Sequence, residues 1–379
     1  MNIAGIICEY NPMHKGHAYH IAETKKSCDG VVCVMSGDFV QRGEAAIFSK
    51  HLRAKAAILC DADLVVELPV PYSCASAERF AKGGVEILSS LGVVNTLSFG
   101  AECDDINTLK KAADILNSPD FFEKVAVKLK DGISFARARD AVLCETDPAL
   151  GDIISKPNNL LAIEYLRFLP DSMNALAVKR VGVNHDENLP CGEFASASLI
   201  REMILNGEDI SRFVPSVTEN YAPVLLDDKI ILSYLKRLRV DDLKNVPDVT
   251  EGLESRLFKA IKEASTLDEL YASVKTKRYA LSRVRRIVLN AYLGISKDEV
   301  NSSPTYARVL AMNDTGKKIL AKAKRVSSIP IITKPAQGKG ISSFEKSVLC
   351  SDLYALFSKN NEISEWQRSP FIWCENYVK

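Results

Sequence analysis

The stretch that decides the fold is CEYNPMHKGHAYH, residues 8–20, which holds three of the chain's five histidines: His14, His17 and His20. Before it, IAGIICEY (residues 3–10) is a near-continuous apolar run that predicts a buried strand. After it, GHAYHIAETKKSC (16–28) predicts a helix. A strand, a proline turn and a helix in that order put the turn at the carboxyl edge of a sheet, where open α/β domains bind ligands. The helix start offers backbone N–H groups and a positive dipole end, a natural phosphate site. Gly16, bracketed by His14 and His17, lets a ligand approach the backbone closely. Imidazoles in this place can donate to phosphate oxygens and stabilise charge growing on them as a nucleotide is cleaved. Zinc also favours imidazole ligands. Spacing of i, i+3, i+6 fans three side chains over about 120° of a helix, however, and no cysteine or carboxylate cluster accompanies them. No metal centre is expected, and His20 reads as packing.

Working outward, short apolar runs alternate with helical stretches through about the first two hundred residues. GVVCVMSG (30–37), DLVVELPV (63–70), NTLSFGAE (95–102) and NALAVKRVGV (174–183) predict further strands. SKHLRAKAAILCDA (49–62), with Ser49 as N-cap, and SAERFAKGGVEILSSLG (76–92) predict helices. Apolar strands separated by helices indicate an α/β, doubly wound parallel sheet covered on both faces, a Rossmann-like domain. From about residue 215 the pattern turns helical, in DDKIILSYLKRLRVDDL (227–243), EGLESRLFKAIKEAS (251–265), TLDELYASVKT (266–276) and YALSRVRRIVLNAYLG (279–294). The next strand candidate is SIPIIT (328–333). The expected organisation is a catalytic domain over 1–215 and a mainly α-helical domain over 216–379, with the proline-bearing RFVPSVTENYAPVLLDD (212–228) between them.

A net charge of +1, with 47% hydrophobic and 26% charged residues, describes an ordinary globular protein with no global pull toward nucleic acid or membrane. No apolar run reaches the roughly 20 residues that span a bilayer. MNIAGIICEYNP lacks the basic start of a signal peptide. Ten scattered cysteines without a CxxC pair suit reduced thiols in a cytoplasmic protein.

H-x-G-H after the first strand, here His14, Gly16 and His17, resembles the signature of the nucleotidylyltransferase superfamily. ASASLIR (195–201) resembles the superfamily's second element, an I-S-S-T-x-I-R-like helix start, with Ser196, Ser198 and Arg201 in place and alanines at 195 and 197. The chain as a whole resembles the tRNA(Met) cytidine acetate ligases, through GIICEYNPMHKGH, VMSGDFVQRGEAAI, FGAE, SKPNNLLAIEYL, SASLIREM and KRYALSRVRRI. That resemblance implies ATP-dependent activation of acetate to acetyl-adenylate, with release of pyrophosphate. The acetyl group then passes to N4 of the wobble cytidine of elongator tRNA(Met). It implies ATP contacts from Ile7, Cys8, Glu9, Tyr10, Asn11, Pro12, Met13, His14, Lys15, Gly16, His17, Ala18, Tyr19 and His20. Gly100, Asn158 or Asn159, and Arg180 join them.

On the two signatures together, His14, His17 and Arg201 are the expected catalytic set, and the resemblance implies magnesium accompanying ATP. Asn158 and Asn159 open a helix after a proline, where N-capping and a nucleotide contact both fit. Given the acetate activation that the resemblance implies, the segment after strand two reads as a mobile loop guarding the carboxylate site, with Arg42 or Lys50 holding acetate. KTKRYALSRVRR (275–286) holds Lys275, Lys277, Arg278, Arg283, Arg285 and Arg286 and no acid, which reads as a cationic helix face for an RNA phosphate backbone, the tRNA that the resemblance implies. No membrane and no stable protein partner are implied. Two other functions share parts of this pattern: nucleotidyl transfer to a small phosphorylated metabolite, and RNA binding without catalysis on a nucleotide-binding fold.

Overall fold

The computed structural model describes residues 1–180, 192–218, 221–250, 252–277 and 279–374. Its strands are β1 (Ile3–Cys8), β2 (Gly30–Ser36), β3 (Phe39–Val40), β4 (Glu44–Ala45), β5 (Leu64–Leu68), β6 (Thr96–Ala101), β7 (Asn174–Lys179), β8 (Ala307–Met312), β9 (Ile331–Ile332) and β10 (Phe371–Ile372). The main sheet is eight-stranded in the order β10-β8-β5-β2-β1-β6-β7, with β9 paired to β8. β1 pairs in parallel with β2 from Ile3↔Gly30 and with β6 from Ala4↔Thr96. The chain therefore builds outward from β1 in one direction through β2 and β5, then in the other through β6 and β7. This reversal opens a crevice beyond the carboxyl end of β1.

Alternate side chains of each strand feed opposite cores. Ile3, Ile7, Val32, Val34, Leu64 and Val66 pack with Phe80, Val85 and Leu88 of the helix Ala77–Ser90. Ile6, Val31, Cys33, Met35 and Val65 pack against the other layer. That layer is formed by Ile21 of α1 (Lys15–Lys25) and by Ala54, Ala57 and Ile58 of α2 (Lys50–Leu59). Burial on both faces is why the strands read as continuous apolar runs rather than alternating ones. Ser49 occupies the N-cap position of α2 but makes no capping hydrogen bond with its side chain.

The helices Asp228–Leu235, Leu253–Glu263, Leu267–Val274 and Leu281–Leu293 form a separate layer around Ile231, Leu257, Leu270, Val284 and Ile287. This core continues into Phe39, Val70 and Cys74, so the layer is seated on the segments that follow β2 and β5. Two strands of the C-terminal part depart from the sequence reading. β8 pairs antiparallel with β5 (Leu64↔Met312), and β10 pairs with β8, so residues 307–312 and 371–372 rejoin the sheet that residue 3 begins. ARVLAM gave no strand signal because Arg308 interrupts it. In the fold that guanidinium is fully buried, with its charge met by Glu365 at 3.2 Å and by the Arg368 carbonyl at 2.6 Å.

Among the described residues no helix is long and apolar enough to cross a membrane. His185, a loop residue after the fifth expected strand, and Arg278 of the basic segment lie outside the described residues.

Candidate active site at the histidine turn

A cleft of about 260 Å³ opens beyond β1, β6 and β7. Of the expected nucleotide residues, Ile7, Cys8, Glu9, Tyr10, Asn11, His14, Gly16, His17, Tyr19, His20, Gly100, Asn158, Arg180, Ser196, Ser198 and Arg201 line it, together with Arg42. Pro12, Met13, Lys15, Ala18, Asn159 and Lys50 do not. Met13 is fully buried in the core and Ala18 packs against it. Pro12 is buried as well, and the Lys15 ammonium turns away to Glu193 at 3.0 Å.

His14 is the N-cap of α1, with Nδ1 accepting from the Gly16 N–H at 3.0 Å. An acceptor at Nδ1 fixes the proton of the neutral ring on Nε2. A side chain on Gly16 would meet the His14 ring at 2.9 Å, so the glycine is required first by this cap. The first N–H groups of α1 are all engaged: Lys15 with the Phe213 carbonyl, Gly16 with His14 Nδ1, and His17 and Ala18 with the His14 carbonyl. The expectation of free helix amides cradling phosphate is thereby corrected. The dipole remains, but the available donors are side chains.

His17 stacks on His14 with ring centroids 3.7 Å apart and lies 4.8 Å from the Tyr10 ring. Its buried Nδ1 has no hydrogen-bond partner among the described residues. His20 Nε2 lies 3.0 Å from Ser98 Oγ, which is 2.7 Å from Thr24 Oγ1, and Thr24 donates to the His20 carbonyl. With the Thr24 proton committed, Ser98 donates to Thr24 and accepts from His20 Nε2–H. His20 is thus a neutral, tethered ring on the cleft wall. Burial pushes all three imidazoles down, with the nearby Arg180 charge adding to it. His14 falls to about 3 and His20 to about 4, while His17 is lowered further by the His14 ring.

Because these folded-state values lie below the ordinary 6.5, the unfolded chain takes up protons that the native state excludes as pH falls from about 6.5 toward 4. Stability is fully present above that window and is lost through it. The melting temperature is expected to drop between pH 7.5 and pH 5, and His20→Asn to flatten that slope. A melting curve independent of pH across this range would contradict neutral burial.

Arg201 reaches the turn from the helix Ala197–Asn206, whose N-cap is Ser196. Its guanidinium donates to the Asn11 carbonyl at 2.8 Å and to Ser198 Oγ at 3.3 Å. The second signature is thereby tied to the first across 190 residues of chain. On the far wall, Asn158 and Asn159 separate into two roles. Asn159 is buried, with Oδ1 accepting from the Glu102 and Cys103 N–H groups and Nδ2 donating to the Ile153 carbonyl. Asn158 lines the cleft between Glu102 Oε1, at 2.5 Å, and Arg180 Nη1, at 3.4 Å. Gly100 faces them, and a Cβ there would make only ordinary contact with Arg180 at 3.5 Å. A small side chain would therefore fit at this wall without moving its neighbours.

Lys50 is corrected as an acetate ligand. It is 1% exposed, with Nζ at 2.8 Å from both Glu67 and Ser351 Oγ and at 3.4 Å from Glu365. Burial would lower its pKa, but Glu365, Glu67 and Asp38 outweigh it and hold the ammonium charged. The basic helix is corrected as well. Arg285 pairs with Glu44, Arg286 with Asp248 at 3.3 Å, and Arg283 donates to the Asp248 carbonyl at 2.7 Å. Acids absent from the segment are supplied by other loops. Lys275 and Lys277 remain exposed.

Sequence reasoning missed Arg53. Fully buried in α2, it donates to the carbonyls of Glu9, Ser36, Gly37 and Phe48, tying together the ends of β1 and β2 that frame the cleft. Nothing in its helical context distinguishes it from a surface arginine.

The family profile described as HIGH Nucleotidyl Transferase matches residues 1–369. A tRNA(Met) cytidine acetate ligase from a Thermoanaerobacter species is 40% identical, over 96% of this chain and 97% of the relative. One from Clostridium perfringens is 37% identical, over 98% and 100%. The chain belongs to the tRNA(Met) cytidine acetate ligase family of HIGH nucleotidyl transferases. Among solved structures, Thermotoga maritima TmcAL bound with alpha-thio ATP matches with a TM-score of 0.90 at 27% identity, covering 99% of this chain and all of that one. The apo form of TmcAL matches with a TM-score of 0.92 over the same extent. The ligase fold is thus shared along the whole chain, the returning strands included.

Proposed function

We propose that this protein activates acetate with ATP and transfers the acetyl group to N4 of the wobble cytidine of elongator tRNA(Met). The products are N4-acetylcytidine, AMP and pyrophosphate. The observation that carries the reading is the neutral, stacked His14–His17 pair facing Arg201 at the head of α1.

ATP lies across the carboxyl edge of the sheet. His14 donates from Nε2, the stacked His17 imidazole acts beside it, and Arg201 adds positive charge where negative charge builds on the α-phosphate and the leaving pyrophosphate. An acetate oxygen attacks the α-phosphorus in line, the bond to the β-phosphate oxygen breaks, and no protein nucleophile intervenes. The wobble amine then attacks the acetyl carbon, AMP leaves, and the amine loses a proton. The cytidine must be splayed from its loop, which is cheaper in a single strand than in a duplex. Magnesium is expected with the triphosphate. Among the described residues no three His, Cys, Asp or Glu side chains converge on one ion. The donors that fit are therefore phosphate and water oxygens, with the cleft-lining Glu9 beside them. When bound, the ion supplies positive charge to the phosphates.

On this reading residues 1–215 carry the chemistry, the helical part from 216 onward meets the tRNA with Lys275 and Lys277 as contacts, and the reaction is cytoplasmic. Mass spectrometry of tRNA(Met) nucleosides tests it. N4-acetylcytidine is expected in cells with the protein and absent without it. Unchanged N4-acetylcytidine in its absence would favour the small-metabolite nucleotidyl transferase instead.

A further inference from the structure

The segment after β2, read from sequence as a mobile guard, is a pinned hairpin. Its strands pair as Phe39↔Ala45 and Val40↔Glu44, and Gln41, Arg42 and Gly43 form its tip. Gly43 has φ +74°, and a Cβ there would lie 2.5 Å from the Arg286 backbone nitrogen, so the tip rests directly on the helix Leu281–Leu293. Glu44 pairs with Arg285 of that helix, and Ser73 Oγ holds the Phe39 carbonyl at 2.8 Å. At the other side of the tip, the Gln41 backbone N–H donates to Glu9 Oε1 at 2.8 Å. A hairpin fixed from both sides delivers its side chains to defined positions.

One of those side chains is unfinished. Val40, Gln41 and Arg42 line the cleft, yet Gln41 Nε2 is buried with no hydrogen-bond partner among the described residues. Buried donors are nearly always paired, and a native exception calls for a ligand or a strain to explain it. Rotation about its terminal torsion, which is soft for an amide, turns the donor into the space the side chain already borders.

The sheet order says which ligand. Gly100, Asn158 and Arg180 come off β6 and β7 or the helix beside them, on one side of β1; the hairpin follows β2, on the other. With the nucleoside on the Asn158 and Gly100 side, the wall left open to a small acid reaching the α-phosphorus is the hairpin's. We infer that Gln41 is a specificity-determining residue for the acyl substrate, its side-chain amide donating to a carboxylate oxygen of the small acid beside Val40. The inference rests on the acetate-activating reading of the cleft and names the residue that admits the acid.

The test measures acetate-dependent pyrophosphate release from ATP in the full chain, comparing Gln41→Leu and the near-isosteric Gln41→Glu with the native protein. In Gln41→Leu the KM for acetate is expected to rise roughly 10- to 100-fold, the loss of one hydrogen bond to a charged group. Gln41→Glu, which sets a carboxylate against a carboxylate, is expected to rise at least as far. The KM for ATP is expected to stay within about twofold in both, since the lost contact is not to nucleotide. A rise confined to the KM for ATP would assign the amide to phosphate, and an unchanged acetate KM would make it structural; either overturns the inference. Native protein that releases no pyrophosphate on acetate addition removes the reading beneath it, and the inference with it, before any variant is compared.

Discussion

Replacing His17 with alanine is expected to lower acetyl-adenylate formation by about 10²- to 10³-fold, the usual loss when one preorganised group is taken from a developing oxyanion. The folded state should survive. His17 is only partly buried, lies between His14 and Tyr10, and makes no ring hydrogen bond at Nδ1 that the fold would lose. Its removal also frees the His14 ring to shift from a position held at 3.7 Å, so part of the loss comes through His14. The same substitution at His20 should cost less in the chemical step, because its Nε2 is committed to Ser98. Single-turnover formation of labelled acetyl-adenylate separates these outcomes. Full activity of His17→Ala would remove the histidine turn from the mechanism.

The second large effect is on stability. Lys50→Met is expected to destabilise the protein by about 3–5 kcal/mol, the cost of leaving buried charges without their partner. Asp38, Glu67 and Glu365 all face the Lys50 ammonium, and each of these side chains is 5% exposed or less. Glu365 is held ionised against its own burial chiefly by Lys50 and His51. Glu365 also meets Arg308 of β8, so losing Lys50 loosens the attachment of the returning C-terminal strands. Denaturant unfolding at pH 7.5 reads the change. Native stability combined with a raised KM for acetate would instead return Lys50 to the substrate site.

These cases show which features a sequence carries on its face. The histidine turn was legible because its function demands a rare local pattern: a strand end, a turn, a glycine and spaced imidazoles within 13 residues. ASASLIR was legible because Arg201 arrives with serines at a helix start, although only the fold shows the guanidinium on the Asn11 carbonyl. What stayed hidden depends on partners distant in the chain. Arg285 and Arg286 read as unpaired because Glu44 and Asp248 come from elsewhere. Lys50 read as available because Glu67 and Glu365 are 17 and 315 residues away. Asn158 and Asn159 are equivalent in sequence, and the loop at Glu102 divides them. β8 hid behind a buried arginine whose counter-charge lies 57 residues further on.

The central claim, that a nucleotide's α-phosphate is activated over the head of α1, is tested most directly by a crystal structure of this protein with a non-hydrolysable ATP analogue. The account predicts the α-phosphate within hydrogen-bond reach of His14 Nε2 and the Arg201 guanidinium, with the nucleotide extending toward Asn158 and Gly100. Triphosphate bound elsewhere, with the cleft under His14 and His17 left to solvent, would contradict it.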